Sequence, residues 1–121
     1  MRKLAVFLLL VMVAVSCASC GGGDSYASAC AQLENTDMGG TEYTQAQIDE
    51  LEARFVKMNL SAGFSRVNHF RSKTEYAYVI EFENADDAQV FFDRIGTGSY
   101  DVKKLDGVVV YGKSNSIDGL E

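Results

Sequence analysis

Two tight reversals constrain this chain more than any other feature. Ser72–Glu75 separates the runs Phe64–Arg71 and Tyr76–Phe82, and Asp106-Gly107 separates Tyr100–Leu105 from Val108–Tyr111. Neither gap is long enough for a crossover connection, so each pair of runs has to form an antiparallel hairpin. Asp-Gly also supplies the positive φ that a two-residue hairpin loop demands. Taking Lys73-Thr74 as the first loop sets Val67 against Ile80, Arg66 against Glu81 and His69 against Tyr78. The opposite charges at 66 and 81 favour that register by a few tenths to about 1 kcal/mol. Setting Leu105 against Val108 in the second hairpin puts Val102 opposite Tyr111 and Lys104 opposite Val109.

A helix precedes each hairpin. Thr44-Gln45-Ala46-Gln47 forms a capping box, and Ile48, Leu51, Phe55 and Met58 then recur at helical spacing. Gly63 stands beyond as a stop. Asn84 is a good N-cap, with Asp86 and Asp87 where the macrodipole favours them. Ala88, Phe91, Phe92 and Ile95 give that helix its inner face, and Gly96 ends it.

The order α-β-β-α-β-β predicts an α+β two-layer sandwich: a four-stranded antiparallel sheet with two helices on one face, permuted ferredoxin-like. The apolar runs 76–82 and 108–111 become the central strands. The edges carry Arg66, Asn68, Asp101, Lys103 and Lys104, as an open sheet needs to avoid edge pairing. The folded unit spans 44–118, near the smallest size at which one core stands alone. Tyr78, Ile80, Phe82, Tyr100, Val102, Val109 and Tyr111 face the helices. Phe70, Ala77, Val79, Val108 and Val110 lie on or near the opposite face, left as a contact patch or covered by the tail after Lys113.

The N-terminus is of another kind. Arg2-Lys3 precedes a twelve-residue apolar run, Leu4–Val15, and then Ser16-Cys17. As a helix that run is ~18 Å long, short of the ~30 Å hydrocarbon core, so it reads as an export signal rather than a membrane span. Val13-Ala14-Val15-Ser16-Cys17 resembles the lipobox of bacterial lipoproteins. The resemblance implies that residues 1–16 are removed as a signal peptide. It also implies that Cys17 receives a diacylglycerol thioether and acyl chains such as palmitate, anchoring the chain to membrane lipid. The location implied is the cell membrane or outer membrane, facing outside the cytoplasm. Cys20, followed by Gly21-Gly22-Gly23, is the alternative lipidation site.

Residues 17–43 are rich in Gly, Ser, Ala, Asp, Asn and Thr and read as a lipidated N-terminus and flexible tether. With lipid on Cys17, Cys20 and Cys30 remain as an even pair outside the cytosol, either bridged as a disulfide or incidental thiols. The domain resembles small bacterial lipoproteins, a likeness that carries no activity with it.

Removing the positive charges of Arg2 and Lys3 takes the net charge from −6 to −8. Such acidity argues against nucleic acid and against docking on anionic lipid. Tyr78–Ala88 resembles the strand-to-helix passage of RNA-recognition motifs, without that family's basic glycine-aromatic signature. The single histidine, His69, has no nucleophile to activate. Glu81, Glu83, Asp86 and Asp87 lack the alternating donors and turn glycine of a calcium loop. The sequence names no catalytic residue, metal ligand or cofactor. It predicts a non-enzymatic, lipid-anchored module contacting an unknown protein partner or a second copy of itself. The alternative is a small-ligand or metal-binding accessory protein of the cell envelope.

Overall fold

The computed structural model describes residues 24–121. Five antiparallel strands form one sheet in the order β1-β2-β3-β5-β4: β1 (Gly39–Glu42), β2 (Phe64–Arg71), β3 (Tyr76–Phe82), β4 (Asp101–Leu105) and β5 (Val108–Lys113). Both hairpins have the expected register. Val67 faces Ile80, Arg66 faces Glu81, His69 faces Tyr78, and Val102 faces Tyr111. A bulge between Phe64 and Arg66 interrupts β2, and Asp106 takes the positive φ of 57° that its turn requires. The central pair β3 and β5 joins with Tyr78 opposite Tyr111 and Val79 opposite Val110.

Helices α2 (Gln45–Ala53) and α3 (Ala85–Ile95) cover one sheet face. The expected capping box of Thr44 and Gln47 is present, and the Asn84 side chain accepts from the Asp87 amide. Ile48, Leu51, Ala88, Phe91 and Ile95 pack on Phe64, Val67, Ile80, Phe82, Val109 and Tyr111.

The second face is also covered, which corrects the four-stranded two-layer expectation to a five-stranded sheet between helical layers. Helix α1 (Ser25–Glu34) starts at Asp24, whose carboxylate accepts from the amides of Tyr26 at 3.1 Å and Ala27 at 3.2 Å. Its buried residues Tyr26, Ala29, Cys30 and Leu33 recur at helical spacing. They form one cluster with Phe70, Ala77, Val79, Val108 and Val110, the residues expected to be an open contact patch. Helix α4 (Asn115–Asp118) adds Ile117 and, just beyond it, Leu120 to the same layer. Val79 and Val110 are 0 % exposed, so this face is a second core and cannot meet a partner in this fold.

Residues 24–42 are therefore a folded layer rather than tether. The inward face of α1 is made partly of small Ala and Cys, so its periodicity is faint. Strand β1 shows no alternation because all four of its residues are exposed and two of them are glycine. It exists through backbone pairing of Gly39–Glu42 with Arg71–Asn68, which turns the expected edge strand β2 into an interior one. Arg66 ties the added layer to the sheet. Its guanidinium makes two 2.8 Å bonds to Glu81, lies 3.4 Å from Asp24, and sits 4.2 Å from the Tyr26 ring centroid.

The loop from Ser61 to Gly63 closes around a buried carboxylate. Asp87, 3 % exposed, accepts from the amides of Ser61 at 2.9 Å, Ala62 at 2.8 Å and Gly63 at 2.8 Å, and from the Ser61 hydroxyl at 3.1 Å. Burial alone would raise its pKa; the hydrogen bonds from Gly63, Ala62 and Ser61 outweigh this and hold it below the usual carboxylate range. Gly63 has φ of +88°, and a Cβ there would stand 1.9 Å from Glu52 Oε2, which itself accepts from the Phe64 amide. Glycine is the residue that fits this position.

Candidate functional site: a tyrosine-lined cleft

At the end of the sheet that carries the Ser72–Glu75 turn, an aromatic row runs from half-buried His69 and Tyr78 to Tyr111, which is buried against the helices. Cross-strand pairing aligns His69 on β2, Tyr78 on β3 and Tyr111 on β5. The His69 and Tyr78 rings stack at 4.2 Å and 6°, and Tyr78 and Tyr111 stack at 5.2 Å and 12°. Tyr43 stands edge-on to both His69 and Tyr78, Tyr76 edge-on to Tyr78, and Tyr100 edge-on to Tyr111. Each such contact contributes about 0.5–1.5 kcal/mol beyond its buried area, so the row is rigid as well as aromatic.

This row floors a cleft of about 430 Å³. Arg54, at the end of α2, and Arg71, Lys73 and Glu75, around the hairpin turn, complete its rim together with Tyr76 and Tyr100. Its volume is within the range of small-ligand sites. Burial holds His69 below the ordinary histidine range and Arg71 adds to the effect, which favours a neutral ring near pH 7. Burial and the neighbouring Tyr78 push Tyr43 up to about 12. Tyr76 and Tyr111 are likewise raised by burial and by neighbouring phenols, so these hydroxyls keep their protons and can donate. The Ser72 hydroxyl accepts from the amides of Thr74 and Glu75 and is engaged in shaping the turn.

Of the residues singled out from sequence, His69 is in this cleft, packed as expected on Tyr78. The acidic residues do not converge. Glu81 pairs with Arg66, Asp87 holds the Ser61–Gly63 loop, and Glu83 and Asp86 are exposed. Among the described residues no group of three His, Cys, Asp or Glu side chains could hold a metal ion. Cys30 is 8 % exposed on the inner face of α1, its thiol pushed up to about 11, chiefly by burial. The signal peptide 1–16, Cys17 and Cys20, and with Cys20 the pairing to Cys30, lie outside the described residues. Among those described, no helix is long and apolar enough to cross a membrane. Comparison with protein-family models, curated proteins and solved structures finds no match to the chain.

The cleft escapes sequence reading because its parts are scattered from Arg54 to Tyr111. The hairpin registers give His69 opposite Tyr78. What they lack is the pairing of the two hairpins, which alone brings Tyr111 beside Tyr78.

Proposed function

We propose that this chain is a lipid-anchored extracytoplasmic module that binds a small ligand in the tyrosine-lined cleft and performs no catalysis. The observation that carries the reading is the cleft itself. It is a preformed concavity of about 430 Å³ with a stacked His69-Tyr78-Tyr111 floor and several charged groups at its rim. His69 neighbours aromatic rings and Arg71 rather than an orienting carboxylate, which favours binding over acid–base chemistry. The reading replaces protein contact through Phe70, Ala77, Val79, Val108 and Val110, since α1 and α4 occupy that face.

The anchor rests on the lipobox-like segment ending at Cys17. Asp24, where α1 is capped, stands seven positions after Cys17. Fully extended, that stretch reaches about 25 Å, so the leash is far shorter than residues 17–43 suggest, and it joins the domain at the end of the sheet that carries Arg66 and Asp106.

Labelling cells with an alkyne analogue of palmitate, followed by mass spectrometry, tests the anchor: label on Cys17 or Cys20 supports it, and an unlabelled exported chain removes it. For the cleft, a panel of neutral sugars, acidic sugars and aromatic acids is titrated while tyrosine emission is followed. The chain has no tryptophan and six tyrosines, and four of them line the cleft. Binding that Tyr76→Ala with Tyr100→Ala abolishes, in a chain whose melting curve shows it still folded at the assay temperature, is the expected result. Binding that survives this pair, or no binding across the panel, overturns the reading.

A further inference from the structure

We propose that the ligand of this cleft is an acidic saccharide, a sugar ring bearing a carboxylate or a phosphate ester, and that Arg54 and Arg71 select its charge. The inference rests on the cleft being a ligand site and adds the chemical class.

The first argument is the orientation of the rings. Tyr78 has His69 stacked on one face and Tyr111 on the other, so the middle of the floor offers ring edges rather than a flat surface. An edge-on tyrosine row presents hydrogen-bonding groups, which suits a polyol better than a planar aromatic. Tyr100 at the rim is 40 % exposed and can pack against the C–H face of a sugar. Protonated phenols in the floor are donors to sugar oxygens.

The second argument is charge. Arg54, Arg71 and Lys73 face a single carboxylate, Glu75, which is engaged by the Ser114 hydroxyl. Among the described residues the ion pairs within 4.0 Å are those of Arg66, so neither cleft guanidinium has a carboxylate at that distance. Glu50, which shares a small adjoining pocket with Arg54, is beyond it too. A chain of net charge −6 thus gathers, around one concavity, positive groups with no ion pair within 4.0 Å among the described residues. The guanidinium fork matches carboxylate and phosphate oxygens, so the rim of this cleft suits an anionic group.

The full chain in detergent is titrated with glucose, glucuronate, glucose 6-phosphate and inorganic phosphate, read by tyrosine emission and calorimetry. The expected result is that glucuronate, glucose 6-phosphate or both bind about 10-fold or more tighter than glucose and inorganic phosphate. Comparing the two acids identifies which group is read. Arg54→Ala and Arg71→Ala should each weaken that binding about 10-fold, whereas Arg94→Ala on α3 should not. Far-UV dichroism melts of all three variants exclude unfolding as the cause. Glucose binding as tightly as the acids overturns the charge assignment and leaves the cleft as a ligand site. Inorganic phosphate equalling glucose 6-phosphate overturns the saccharide assignment, and binding indifferent to both arginine variants overturns their role. Silence toward these four probes, with a response to aromatic acids, overturns the inference alone; silence toward every compound overturns the ligand site as well.

Discussion

Asp87→Ala should be the most damaging single change to a polar side chain in this fold. The substitution strands three backbone N–H groups, those of Ser61, Ala62 and Gly63, each now 2.8–2.9 Å from a carboxylate oxygen. A hydrogen bond to a charged group is worth about 1.5–3 kcal/mol, but the loop can shift and admit water to some of the freed donors. A net loss of about 3–5 kcal/mol follows, a large part of the stability of a small domain. For a domain of this size that lowers Tm by roughly 15–30 °C. Asp87→Asn keeps one acceptor oxygen but turns an amide NH₂ toward backbone donors, so its loss should be intermediate, about 2 kcal/mol. The reference is Asp86→Ala, one residue earlier and exposed, which should change stability by under about 0.5 kcal/mol. Urea unfolding followed by far-UV dichroism and tyrosine emission measures all three. The pH dependence follows from the depressed pKa of Asp87. Its stabilisation is complete above the unfolded value of about 3.9 and is lost as pH falls through the folded value. An Asp87→Ala chain within 0.5 kcal/mol of Asp86→Ala would refute the claim that this carboxylate organises the loop (the bound is about the scatter of surface substitutions).

Three further outcomes are expected. Val79→Lys or Val110→Lys should cost about 3 kcal/mol or more, because each places a charge between two covered sheet faces; a soluble, equally stable variant would return that face to the surface. Cys30, with its thiol pushed up to about 11, should be alkylated about 100-fold or more slowly in the folded chain than in guanidinium, as read by site-resolved mass spectrometry. Equal rates would show that the inner face of α1 is not packed on the sheet. His69 has a folded pKa below the unfolded value of about 6.5, so the unfolded chain binds the extra proton and acidification through that window destabilises the fold. His69→Phe keeps a ring in the stack and should lose less stability than the parent between pH 7 and the folded pKa; identical profiles would contradict the burial argument.

Part of the cleft is legible in the sequence. Arg66 opposite Glu81 and His69 opposite Tyr78 follow from a turn too short to be anything but a hairpin, and both pairs are present. The capping box at Thr44 and the cap at Asn84 are equally local and are also found. The illegible part is long-range. Tyr26, Cys30 and Leu33 carry little periodic signal until a sheet face exists to receive them. Gly39–Glu42 has no strand pattern because its strand is held by backbone bonds to β2 rather than by buried side chains.

Near neighbours along the chain therefore specify two hairpins with their registers and two capped helices, and composition adds the acidity that disfavours nucleic acid. Three things wait on the assembled fold: that Val79 and Val110 are core, that the segment after Asp24 is a folded layer, and that Tyr111 lies beside Tyr78 to make a cleft. The cause is the same in each case. Turns and caps are set by forces between residues a few positions apart. Which faces are buried depends on where distant apolar surfaces can meet, and the linear pattern of residues leaves that open.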